Sequence, residues 1–134
     1  MINYKIYIFT TSILLIFCTT AICANRKHPE RWYQDRWCAQ RGQVEVVLPD
    51  GSRCDCVTTA HMVEFDFGKK WAESIGQALN YARQGEGRRA GIVLILERPG
   101  DEKYLDRIRA VRNTYGLPLD LWAVDADGNE MGEQ

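Results

Sequence analysis

Asp55, Glu64 and Asp66, followed at once by Lys69 and Lys70, are the residues of this chain best suited to chemistry. Carboxylates hold a divalent cation, and a nearby ammonium orients an attacking water or steadies the charge that develops on a phosphoryl group. Together they form the set that metal-dependent phosphodiester hydrolysis requires. Glu64 carries the most weight. Val63 and Phe65 on either side of it point to a core, so Glu64 faces the covered side of its strand, where a carboxylate needs a partner or a metal. Asp55 also has a plainer role open to it as the ion-pair partner of Arg53. Asp66 has one as an acid beside the positive end of the next helix.

These side chains meet only if the elements bring them to one place. Pro29 opens a first helix that carries Trp32, Tyr33, Trp37 and Cys38 and stops at Gly42. Residues 44–48 read as a strand, Pro49-Asp50-Gly51-Ser52 as a turn, and residues 53–58 as the returning strand. Residues 62–67 alternate, with Val63, Phe65 and Phe67 on one face and Glu64 and Asp66 on the other. Trp71, Ile75, Ala78, Leu79 and Ala82 give a second, amphipathic helix ended by Gly85 and Gly87. Residues 90–96 are apolar throughout, as in a strand covered on both sides. A third helix follows, with Tyr104, Leu105, Ile108, Val111 and Tyr115, then a last strand at 121–124. The order helix-strand-strand-strand-helix-strand-helix-strand predicts an α/β domain: a mixed central sheet with helices on both faces.

On the second helix each residue turns by about 100°. Lys70, Ser74, Gln77 and Tyr81 then form a stripe beside the apolar one, whereas Lys69 groups outward with Glu73, Gly76 and Asn80. Lys70 is therefore the candidate catalytic cation, and Gln77 and Tyr81 are candidate substrate-binding residues.

The element order, the spacing Asp55…Glu64-x-Asp66 and the element Gln77-x-x-x-Tyr81 resemble the PD-(D/E)XK nuclease superfamily, the restriction-endonuclease-like fold. The Gln-x-x-x-Tyr element is similar to that of RecB-type nucleases. The likeness spans nearly all of residues 25–134. It implies a magnesium-dependent nuclease core, with manganese as a substitute, Asp55 and Glu64 as metal ligands, and Gln77 and Tyr81 near the DNA or the metal. The family's lysine stands two residues after the second acid; here that position is Asp66, and Lys70 takes the role from the following helix. Glu30 is a candidate for the family's accessory acid. The core Glu64-x-Asp66-Phe67…Lys70-Trp71-Ala72-Glu73…Gly76-Gln77-Ala78-Leu79…Tyr81 is also similar to that of a group of exported bacterial proteins, which adds a setting but no activity.

Lys5 is the sole charge before Arg26, and residues 6–24 are apolar with small residues at Ala21 and Ala24. This pattern predicts a secretory signal over residues 1–24 and a single domain over 25–134, in a periplasmic or secreted location. A retained anchor is the alternative, because the apolar run approaches the roughly 20 residues that span a bilayer. Membrane contact follows only in that case. The chain has 17 Lys+Arg against 18 Asp+Glu, and without Lys5 the balance is 16 against 18. Bulk charge therefore gives no drive toward nucleic acid, and any such contact must come from a local patch.

Cys38, Cys54 and Cys56 remain after the export segment. In an oxidising compartment a bridge from the first helix to the second strand is expected. Cys38–Cys56 is favoured and Cys38–Cys54 stays open, with Cys54 and Cys56 read as sharing a strand face. A zinc site from Cys38, Cys54, Cys56 and His61 is the competing use of the same residues. Two functions follow. One is an exported nuclease acting on DNA with magnesium. The other is a disulfide-stabilised binding module of the same fold that has lost catalysis and engages a protein or envelope partner.

Overall fold

A computed structural model describes residues 26–131; the expected export segment lies outside them. The elements run α1 (Glu30–Cys38), β1 (Gly42–Val47), β2 (Arg53–Thr58), β3 (His61–Phe67), a 3₁₀ turn (Gly68–Lys70), α2 (Trp71–Arg83), β4 (Arg89–Leu96), α3 (Glu102–Tyr115) and β5 (Leu119–Asp125). One mixed sheet has the order β1-β2-β3-β4-β5. The first three strands form an antiparallel meander, and β3, β4 and β5 run parallel through the α2 and α3 crossovers.

Alternation along the strands sets the layers. Val93 and Ile95 of β4, with Val63, Phe65 and Phe67 of β3, pack under Tyr33, Trp37 and Cys38 of α1. Ile92, Leu94 and Leu96 face the other way, against Ala78 of α2 and Ile108 of α3. Both faces of β4 are thus covered, as its unbroken apolar run demands.

The first helix ends earlier than Gly42. Gln40 takes the left-handed turn instead, with φ of 63°. Gly42 is needed inside β1, because a Cβ there would lie 2.1 Å from the Val57 carbonyl oxygen. The second difference concerns β1 and β2. Glu45, mid-strand and level with Asp55, has φ of 57°. Across this point the alternation reverses. Val44 and Cys56 belong to the cluster under α1, whereas Val46 and Cys54 join Met62 and Tyr81 on the α2 side. Cys54 and Cys56 therefore lie on opposite faces, contrary to the period-2 reading. Cys56 bridges Cys38, and Cys54 is a buried free thiol. With both bridge sulfurs consumed, the four-residue zinc site is excluded. His61, its fourth member, instead pairs with Asp120 at 2.8 Å.

Candidate active site

The site lies where β2 and β3 part. Their registered pairs are Cys56↔Val63 and Val57↔Met62. Beyond these, the Phe65 amide donates not to a strand carbonyl but to Asp55 Oδ2, at 2.7 Å. The carboxylate wedges between the strands because the reversal at Glu45 turns it there. On β3 the ordinary alternation sends Glu64 and Asp66 toward α2, where they are 4% and 2% exposed. Burying two acids on one strand face costs free energy unless something compensates.

Asp55 and Glu64 are neighbours that influence each other's titration. Both carboxyl groups titrate well above the ordinary carboxylate range. For each, burial is the main cause; the negative neighbour adds to it for Glu64, while for Asp55 the Phe65 amide opposes it. Burial and mutual repulsion thus favour the protonated form of the pair. Among the described residues, the enclosed Glu64 Oε2 has no hydrogen-bond partner. A proton on this pair or a cation beside it supplies what that oxygen lacks. The Tyr81 hydroxyl, buried on α2, lies against Glu64 and favours its ionised form. Burial raises the tyrosine's own pKa, and Glu64 raises it further.

Asp66 is pushed up to about 7 by burial, with Lys70 pulling the other way and Glu30 adding to the rise. Lys70 Nζ stands 3.7 Å from Asp66 Oδ1 and is 53% exposed, so its ammonium spans from the buried acid to solvent. Lys69 is not on a helix: it and Lys70 form the 3₁₀ turn, and α2 begins at Trp71. The 100° phase used to separate the two lysines therefore applies to neither, and Lys70 is distinguished instead by its contact with Asp66. Gly68 makes this tight turn fit, since a Cβ there would meet the Tyr104 ring at 2.6 Å.

Glu30 enters from the start of α1. It is half-buried, and its pKa is raised by burial first and by Asp55 next. Gln34, one turn on, is buried; its Nε2 donates to Glu30 Oε1 at 3.4 Å, and its Oε1 has no partner among the described residues. Glu45 sits opposite Asp55 and is held by Arg53 at 2.8 Å. Asp55 is thus not the partner of Arg53; Glu45 is. Gln77 is exposed on the α2 stripe.

The structure brings Asp55, Glu64, Asp66, Lys70 and Tyr81 to one split in the sheet, and adds Glu30, Gln34 and Glu45. Sequence reasoning gave Glu30 little weight and missed the other two. Their signal is the Cys38–Cys56 bridge, which sets α1 across the sheet and so places its first turn at the split. Among the described residues, no group of three or more His, Cys, Asp or Glu side chains is placed to hold a metal ion. The pair with its enclosed oxygen still fits magnesium, which takes one or two carboxylates and completes its sphere with water and substrate phosphate. A scan against family models finds no match for the chain, and searches of curated proteins and of solved structures find none either.

Proposed function

We propose that the protein is an exported, magnesium-dependent nuclease of restriction-endonuclease-like architecture, acting on DNA. The observation that carries this reading is the convergence of Asp55, Glu64, Asp66 and Lys70 on the β2–β3 split around an enclosed, unpartnered carboxylate oxygen. In this reading Asp55 and Glu64 are the residues that would hold Mg2+ or Mn2+, with release of protons from the pair. Such a cation would supply Lewis-acid activation of the phosphodiester and of a water. Asp66 fixes Lys70, and the Lys70 ammonium offsets the charge that builds on the phosphoryl oxygens. Tyr81 orients Glu64. Water attacks phosphorus and loses a proton to a carboxylate of the site; the bond to the leaving oxygen breaks, and that oxygen ends protonated. The Cys38–Cys56 bridge supports a periplasmic or secreted setting.

The alternative, a catalytically inactive binding module for a protein or envelope partner, draws on a specific departure. Asp66 occupies the place of the family's lysine, and Lys70 is tied to that acid. The test is cleavage of plasmid and single-stranded DNA by the oxidised protein with Mg2+ or Mn2+. Metal-dependent cleavage abolished by Glu64→Gln supports the enzyme. Failure on every substrate, with no calorimetric heat from either metal, leaves the binding module.

A further inference from the structure

A second charged feature lies beside the acid split. At the carboxyl ends of β3 and β4 a cavity of about 70 Å³ is lined by Arg26, Lys69, Lys70 and Arg98, over a floor that includes Phe67 and the Gly68 turn. In open α/β sheets this end of the parallel strands is where ligands settle. Two acids also border it, and each has one oxygen engaged. Glu97 Oε1 accepts from the Tyr33 hydroxyl at 2.7 Å and the Lys27 amide at 3.0 Å. Asp101 Oδ2 accepts from the Arg98 amide at 3.1 Å. Among the described residues, Arg26, Lys69 and Arg98 enter no ion pair. Arg26 instead lies over the Phe67 ring, 3.9 Å from its centre. Unpaired cations gathered at one small cavity repel one another, and an anion between them removes that cost. The starts of α2 and α3 border the same space, and neither has a side-chain cap.

We propose that this cavity binds a single phosphate group of a nucleic-acid strand, next to the bond held at the acid split. Its volume is far below the few hundred Å³ that enclose a nucleotide-sized ligand. It has room for about five waters, close to the five heavy atoms of a phosphate. Lys70 joins the two places, lining the cavity while paired to Asp66. The nucleic-acid source of the phosphate rests on the nuclease reading; the anion site itself does not.

The test titrates inorganic phosphate into the oxidised protein, followed by calorimetry, for the parent chain, the double variant Lys69→Ala/Arg98→Ala and the variant Glu64→Gln. All the altered side chains except Glu64 are exposed, and thermal melts verify folding. Phosphate is expected to bind the parent chain and Glu64→Gln alike, and at least tenfold more weakly to the double variant. Binding that the double variant leaves unchanged, or no binding to the parent chain at millimolar phosphate, overturns the proposal. A second arm uses a 5′-phosphorylated and a 5′-hydroxyl oligonucleotide. The double variant should lower the salt dependence of binding by about 0.7–0.9 in log–log slope, the value for one lost phosphate contact. A preference for the phosphorylated end that vanishes with Lys69 and Arg98 identifies a terminal phosphate; equal weakening of both strands identifies an internal one. Unchanged oligonucleotide affinity in the double variant removes nucleic acid as the source. Phosphate binding by a parent chain that cleaves nothing, lost in the double variant, retires the nuclease reading and keeps the pocket.

Discussion

Glu64 combines a side chain that prefers water with a backbone position that denies it. Its raised titration has a thermodynamic sign. The folded protein keeps protons on the Asp55–Glu64 pair, and on Asp66 up to about pH 7, that the unfolded chain has already released. Stability therefore declines as pH climbs from the ordinary carboxylate range, about 4, upward. Thermal melts without metal should show Tm falling between pH 5 and 9. Glu64→Gln should flatten that fall and raise Tm at pH 8, at about 4–8 °C per kcal/mol for a domain of this size. An identical slope in the variant would mean that Glu64 is not the strained acid. The lysines separate in the same way. Lys70→Ala should cut kcat by about 100-fold or more, the scale of losing a charge contact made in the transition state. Lys69→Ala should act mainly on KM. Equal losses in kcat would show that the Asp66 contact does not single out Lys70. Glu64 was legible because it rests on strand alternation. The choice between Lys69 and Lys70 was not, because both lie in a 3₁₀ turn before the helix, and what separates them is the Lys70–Asp66 contact.

Among the elements, the β1–β2 hairpin departs furthest from its pattern. Glu45 in the left-handed region costs roughly 1–3 kcal/mol for a residue with a side chain, and the return is the placement of Asp55 against the Phe65 amide. Glu45→Gly should be tolerated better than Glu45→Val, which combines β-branching with positive φ. Circular dichroism melts decide it, and a more stable valine variant would refute the strained geometry. The bridge closes a loop with a sequence separation of 18. By the chain-entropy model its removal costs about 3 kcal/mol, or about 12–24 °C in Tm. Mass mapping should find Cys54 as the thiol that reacts after unfolding but not before. The number, kind and order of the helices and strands were readable from turn residues and alternation. The hairpin's reversal was not, because its valines and cysteines still alternate with polar residues on either side of Glu45.

Across the described residues, the sheet sorts opposite charges into neighbouring places: acids in the split between β2 and β3, bases at the carboxyl ends of β3 and β4. A net charge of −1 hides this, which is why composition pointed away from a polyanionic partner. Such a pattern exists only after long-range pairing, so the mixed sheet was foreseeable and its charge map was not. If the split holds a cation, millimolar Mg2+ or Mn2+ should raise Tm at pH 8 more than at pH 5.5, because protons compete for the same carboxyls. Saturation a hundredfold above Kd corresponds to about 2.7 kcal/mol. Scanning calorimetry with Glu64→Gln as the control measures it, and an equal response in that variant would assign the ion to the surface.

Cys54 stands two residues from Cys56 yet behind the opposite side of the sheet. An oxidant that joined Cys38 to Cys54 would have to roll the strand over and draw Asp55 away from the Phe65 amide. The choice of sulfur during maturation thus also decides whether the acid pair is assembled. Protein cross-linked through the wrong cysteine should lack the carboxyl pair altogether, so a preparation's metal-binding stoichiometry would report its fraction of correctly bridged chains.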